Sequence, residues 1–173
     1  KLFTSNQLKK FFLKNNKITI VKENLIDKII NIKNKKEYPF YSLDKKITGE
    51  NHIQKIFKVS SFLKKDNIDY LFVTAPENVA WLLNIRGYDS PTSPIPNCHL
   101  LISKKKKIYL IVNKEKAKKL IREKKFKTYE IIDPKLLVDL FDNLNGKNIQ
   151  IDKKTCSLYF EKILKKKFNV FKK

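Results

Sequence analysis

The 173-residue sequence predicts a layered α/β domain on a mixed sheet, and three observations carry that expectation. From residue 48 onward, helical and extended patterns alternate as α-β-α-β-β-α-β-α-β-α-β, the order that produces a sheet with helices on its faces. IDYLFVTA (68–75) is a continuous apolar run of β-formers, as a buried strand requires. NCHLLIS (97–103) and KIYLIVN (107–113) read as two strands with a lysine-rich tip between them, and such a hairpin must be antiparallel.

The elements follow in chain order. SNQLKKFFLKNN (5–16) has apolar residues at helical spacing, with Ser5 placed as an N-cap. KITIV (17–21) reads as a short strand, and ENLIDKIINIKN (23–34) as a short helical or extended piece. KKEYPFYSLD (35–44) sets Pro39 between aromatics and reads as an extended linker. The boundary placed there divides residues 1–36 from a main domain, 37–173. TGENHIQKIFKVSSFLKKDN (48–67) has apolar positions at 53, 56, 57, 59, 62 and 63, an amphipathic helix starting near Thr48 or Gly49. After the strand 68–75, PENVAWLLN is one or two helical turns with proline at the first helical position. Beyond the hairpin, 114–125 reads as helix, 128–133 as strand and 134–144 as a helix opened by Pro134. A strand (148–152), a helix (154–167) and a last strand (168–172) complete the chain.

Composition narrows the function. The formal charge of +22 first suggests nucleic acid. Yet of 39 basic residues only Arg86 and Arg122 are arginine, whose planar fork suits base and phosphate readout. The lysines are spread from end to end and come with many isoleucines and asparagines and only three alanines, a bias that AT-rich coding produces. Much of the charge is therefore expected on a solvated surface, which argues against a specific nucleic-acid site. No run of 18 apolar residues suits a membrane span, and no signal peptide is visible at the start. The sequence has no methionine, so the expectation is a piece of a longer protein, and two thiols far apart in sequence make a reducing compartment, the cytoplasm, the default location. Cys98 and Cys156 are expected as buried thiols.

Few residues suit chemistry. The 17 acidic residues are mostly single and interspersed with lysine. His52 is expected exposed at a helix start. His99 sits beside Cys98 in a strand, where neighbours point to opposite faces and cannot share an ion. Three isolated glycines make no phosphate loop. One stretch differs: VAWLLNIRGYDSPTSPIP (79–96) gathers the sole tryptophan, an arginine, a glycine and three of six prolines. As a plain connection, it would put Trp81 in the core, a turn at Gly87 and stiffening prolines in a crossing. As a site, it would project Arg86 and Asp89 from a rigid loop, with arginine a bidentate donor to a carboxylate or carbonyl.

That stretch carries a resemblance. IDYLFVTAPENVAWLLNIRGYDSPTSPIPNCHLLI resembles the middle domain of three-domain Xaa-Pro aminopeptidases, of the creatinase/prolidase group, at Glu77, Ala80, Trp81, Leu82, Asn84, Arg86, Gly87, Asp89 and Pro94. VKENLIDKI (21–29) is similar to the end of that family's first domain. The resemblance implies a creatinase N-terminal-like (ribonuclease H-like) fold, a mixed sheet of about six strands flanked by helices. It implies a parent that removes an N-terminal residue ahead of proline, using two divalent metals, manganese by preference. Their ligands (two Asp, one His and two Glu) belong to a C-terminal catalytic domain that none of these residues matches. This chain alone is expected to be inactive and to hold no metal. It would cover the active-site cleft, aid substrate selection and help form a homodimer. Arg86, Asp89, Trp81 and Tyr88 would line the cleft or the interdomain surface, with Gly87 and Pro94 shaping the loop. The expected partners are the parent's own catalytic domain and a peptide with proline second. The competing expectation is a creatinase-like domain reused as a non-enzymatic module, its basic surface binding acidic protein or nucleic acid. The segment 1–36 is expected to be displaced or to pair with another copy.

Overall fold

The structure, a computed structural model, describes residues 3–12, 19, 25–29 and 37–173. Six strands form a mixed sheet: β2 (Tyr70–Val73), β4 (His99–Ser103), β5 (Ile108–Ile111), β6 (Ile131–Ile132), β7 (Asn148–Ile151) and β8 (Asn169–Lys172). Their order is β6-β5-β4-β2-β7-β8. The β4–β5 hairpin is antiparallel, and β2 also runs antiparallel to β4. The pairs β5–β6, β2–β7 and β7–β8 are parallel. The mixed sheet expected from the sequence is present with its six strands.

Period-2 alternation assigns each strand residue to a layer. Leu100, Ile102, Leu110 and Val112 point into one core, closed by α4 (His52–Lys65), α5 (Pro76–Leu83) and α6 (Lys114–Arg122). Leu101, Ile111, Phe72, Ile149 and Ile151 point into the other, under α7 (Leu137–Asn143) and α8 (Leu158–Leu164). Phe72 meets Phe141 and Phe160 edge-on, at 5.3 and 5.4 Å between ring centroids. Its full burial contributes about 2–3 kcal/mol. Cys98 and Cys156 are buried free thiols, and burial pushes both pKa values up. As alternation predicts, Cys98 joins the first core, while His99 packs on Phe72 and Phe160 of the second.

Several boundaries differ from the sequence reading, for local reasons. The long 48–67 element is two helices. A short α3 (Lys45–Thr48) ends at Gly49, whose φ of 73° turns the chain. Helix α4 then starts afresh at Asn51, which forms a capping box with Gln54. His52 is half-buried against Phe126 rather than exposed, and burial followed by the nearby Lys125 charge lowers its pKa to about 4. The stretch 128–133 forms a 3₁₀ turn before the two-residue β6, because Asp133 and Pro134 start the next turn at once. Helix α8 begins at Leu158 with Ser157 as its cap, later than expected, since the chain before it turns to bury Cys156. The linker contains β1 (Tyr41–Ser42), which pairs with β3 (Ile85–Arg86) in a small second sheet.

Helix α1 (Ser5–Phe11) is capped by Thr4, one residue ahead of the Ser5 expected. Helix α2 (Leu25–Ile29) settles the helical alternative for the part of 23–34 that is described. The strand expected at 17–21 lies outside the described residues, apart from Thr19, which has no regular structure. Of the segment 1–36 expected to be displaced, Phe3 and Ser5 are docked on the main domain. Phe3 O accepts from Leu158 N at 2.9 Å, and Ser5 Oγ donates to Glu161 at 2.8 Å. Glu161 is 5% exposed and also pairs with Lys165 and Lys172. Those partners outweigh its burial and hold its pKa down at about 2.

Candidate functional site

The 79–96 stretch divides into an inner row that fixes the loop and an outer row that faces solvent. Helix α5 is apolar nearly all round, and it buries Val79, Ala80, Leu82 and Leu83. Trp81 shares the remaining face with Glu77 and Asn78 and is 60% exposed, so it is not the core residue a plain connection would give. The helix ends because Asn84 adopts the left-handed conformation, φ 51°, as C-terminal caps do.

Cations converge on that helix end. The last carbonyls of a helix lack intrahelical donors and carry the negative end of its dipole. Lys55 Nζ donates to Trp81 O at 2.8 Å, and Arg86 Nη1 to Ala80 O at 3.4 Å and to Ile85 O at 2.8 Å. Lys125 Nζ donates to Asn84 O at 3.1 Å. Asn84 itself is buried, and every polar atom of its side chain is used. Its Oδ1 accepts from Lys55 at 2.7 Å, and its Nδ2 donates to Thr48 Oγ1 at 3.1 Å and Glu50 O at 2.7 Å. Lys55 is only 3% exposed, and burial lowers its pKa despite the opposing pull of Glu50. Burial likewise brings Lys125 down to about 8. The Lys55 ammonium also lies 4.1 Å from the Trp81 ring centroid, a cation–π contact that fixes the indole over the helix end.

The rest of the inner row closes the loop. Asp89 accepts from Asn97 N at 2.6 Å with one oxygen and pairs with Lys116 of α6 through the other. Gly87 donates to Pro94 O at 2.9 Å. A Cβ on Gly87 would lie 2.9 Å from Pro96 Cα and 3.0 Å from the Phe40 ring, so only glycine fits. Pro94 is exposed and contributes its carbonyl, while Pro96 is the buried proline.

The outer row is Trp81, Arg86 and Tyr88. Tyr88 is 62% exposed and stacks 5.2 Å from Tyr41, with Tyr38 edge-on at 6.1 Å. Arg86 is half-buried and spends Nη1 on the helix end; among the described residues its Nη2 and Nε hold no partner. Of the four residues singled out from the sequence, Trp81 and Tyr88 are exposed and Arg86 is half-buried. Asp89 turns inward to Lys116, not to Arg86. Asn84, Lys55, Lys116 and Lys125 were not singled out as site residues. Only Asn84 had a signal, an asparagine just past an apolar helix.

The stretch offers a half-buried guanidinium that suits a carboxylate or peptide carbonyl, and two exposed aromatic rings, Trp81 and Tyr88. His99 Nδ1 faces Thr74 O at 3.2 Å, and neither histidine hydrogen-bonds a hydroxyl or thiol among the described residues. Among those residues no three His, Cys, Asp or Glu gather to hold a metal ion. No described helix is long and apolar enough to cross a membrane.

The family model of the creatinase/prolidase N-terminal domain matches residues 31–173. The chain belongs to that family. Xaa-Pro aminopeptidase 1 of Dictyostelium discoideum is 33% identical over 101 residues, 54% of this chain and 16% of that protein. A Laccaria bicolor protein named "Probable Xaa-Pro aminopeptidase P" is 33% identical over 84 residues, 47% of this chain and 13% of its own. The X-prolyl aminopeptidase of Caenorhabditis elegans, described as a cytosolic enzyme with a di-nuclear active site, superposes with a TM-score of 0.72 at 20% identity. That superposition covers 88% of this chain and 26% of the worm enzyme, and at that identity it shows the shared fold. This creatinase/prolidase N-terminal domain thus spans a small part of the relatives it matches.

Proposed function

We propose that this chain is the non-catalytic middle domain of a metal-dependent Xaa-Pro aminopeptidase, in which it roofs the active-site cleft and aids substrate selection. The parent removes the residue ahead of a proline, and its divalent metals, manganese by the resemblance, belong to a C-terminal catalytic domain. The reading includes a homodimer and a cytoplasmic location, the latter in keeping with the cytosolic worm enzyme. One observation carries it: in the stretch 79–96, Asn84, Gly87 and Asp89 are spent on internal bonds and packing, while Trp81 and Tyr88 stand more than half exposed. A connection that served only the fold would have no use for a tryptophan held at the surface over a buried lysine.

The test is kinetic and needs the parent. On an X-Pro-X peptide with added Mn²⁺, the parent is active and this chain alone is not. Arg86→Lys in the parent removes the planar fork but keeps a cation near the Ala80 carbonyl. It lowers kcat/KM about tenfold, ~1.4 kcal/mol, with the urea midpoint unchanged. Unchanged kinetics for both Arg86→Lys and Trp81→Ala would remove the cleft role. A parent inactive with every divalent metal would move the reading to the non-enzymatic binding module.

A further inference from the structure

A second surface has the form of a docking groove, and Lys125, which donates to Asn84 O, also lines it. An open groove of about 300 Å³ lies between α4 and the edge formed by β5 and the end of α6. Its apolar side is Ile53, Phe57 and Ile108, of which Ile53 is 67% and Phe57 52% exposed. Its rim carries Lys106, Lys124 and Lys127. Lys106 Nζ sits 4.1 Å over the Phe57 ring. The sole acid on the rim is Glu130, whose carboxylate already accepts from Lys127 N at 2.8 Å.

Lysine is abundant everywhere in this chain, and with 39 basic against 17 acidic residues an unpaired lysine is the rule. What this groove adds is the juxtaposition: Lys106, Lys124 and Lys127 surround the exposed Ile53 and Phe57, and Glu130 is the one acid that lines it among the described residues. Two of them also stand where glycine is the ordinary residue. Lys124 (φ 55°) is the left-handed residue after α6, with Lys124 N donating to Ile121 O and Lys125 N to Leu120 O. Lys106 (φ 66°) is the left-handed residue of the β4–β5 turn.

We propose that this groove docks an acidic amphipathic helix of a partner protein, with apolar side chains on Ile53 and Phe57 and carboxylates on the three lysines. Charge complementarity selects the partner's acidity, and the exposed apolar side selects its amphipathic face.

The probe is a labelled helical peptide of about 14 residues, matching the ~21 Å of α4, with leucine at i, i+3, i+4 and i+7 and glutamate elsewhere. Fluorescence anisotropy with the 173-residue chain should show binding that a scrambled peptide of the same composition lacks. Ile53→Ser with Phe57→Ser, both at exposed positions, should weaken it at least about tenfold. Lys106→Gly with Lys124→Gly removes two cations while easing two left-handed residues, so the domain stays folded. This pair should weaken binding about tenfold as well. The proposal is overturned if the scrambled peptide or a polyglutamate binds equally well. It is overturned too if a thymidine oligonucleotide competes fully while the apolar pair changes nothing, which would mark general polyanion attraction. Equal weakening by Lys153→Glu with Lys154→Glu, away from the groove, would have the same meaning.

Discussion

Asn84 offers a sharp test of how the loop is held. Asn84→Ala deletes the acceptor for Lys55 at 2.7 Å and the bonds to Thr48 and Glu50 at 3.1 and 2.7 Å. The charge-assisted bond is worth ~2 kcal/mol and the neutral pair ~1 each. Alanine in the left-handed conformation adds ~1 kcal/mol. Water entering the gap restores part of that sum, so the expected loss is about 4 kcal/mol. Much of it arises because Lys55, 3% exposed, is left with one carbonyl partner. In a Lys55→Met background that penalty is absent, and Asn84→Ala should cost only ~2 kcal/mol. Urea unfolding of the four proteins, followed by circular dichroism and by the fluorescence of the single tryptophan, gives the coupling directly. A value near ~2 kcal/mol is expected, and one below ~0.5 kcal/mol would refute the idea that Asn84 serves the buried lysine.

Three further outcomes follow from the packing. Glu161 titrates near 2 in the folded state against 4.5 ordinarily, so it binds its proton more readily when unfolded. Its stabilisation is present above pH ~4.5 and lost as pH falls through ~2, an amount of about 3 kcal/mol that Glu161→Gln should remove from the acid limb of a stability–pH curve. A curve identical to wild type would show that its ion pairs contribute nothing. Gly87→Ala forces Pro96 or Phe40 aside and should cost ~1–3 kcal/mol in urea unfolding. Asp89→Asn leaves Lys116 without its carboxylate and should cost ~2 kcal/mol, whereas the double variant with Lys116→Met should recover most of the loss.

The sheet was legible because its strands are β-branched and aromatic runs whose alternation matches two cores, as Leu100 to Ile102 illustrates. The break between α3 and α4 was not, since Thr48–Gly49 offers as plausible a start as Asn51. The β1–β3 pair has two residues a side, too short for any period to register. Trp81 stayed open between core and surface because α5 is apolar on almost every face, so spacing does not reveal which side meets water. The resemblance singled out Arg86, Asp89, Trp81 and Tyr88 together, and nothing in it marked the inward turn of Asp89. Its partner Lys116 is 27 positions away in a chain of 39 cationic residues, and nothing local distinguishes that lysine from the rest.

The placement of β2 has a consequence during synthesis. Its antiparallel neighbour β4 follows within about 30 residues, but its parallel neighbour β7 follows nearly 80 residues later. At ~5–20 residues per second, one edge of this apolar strand waits ~4–16 s on the ribosome for its mate. For that interval the nascent chain presents Tyr70 to Phe72 as an open template, and neighbouring nascent copies on one messenger carry the same strand. Slow translation between Val112 and Asn148 would lengthen the wait. Synonymous codon changes in that stretch alone should therefore alter the soluble yield of a protein whose sequence they leave untouched.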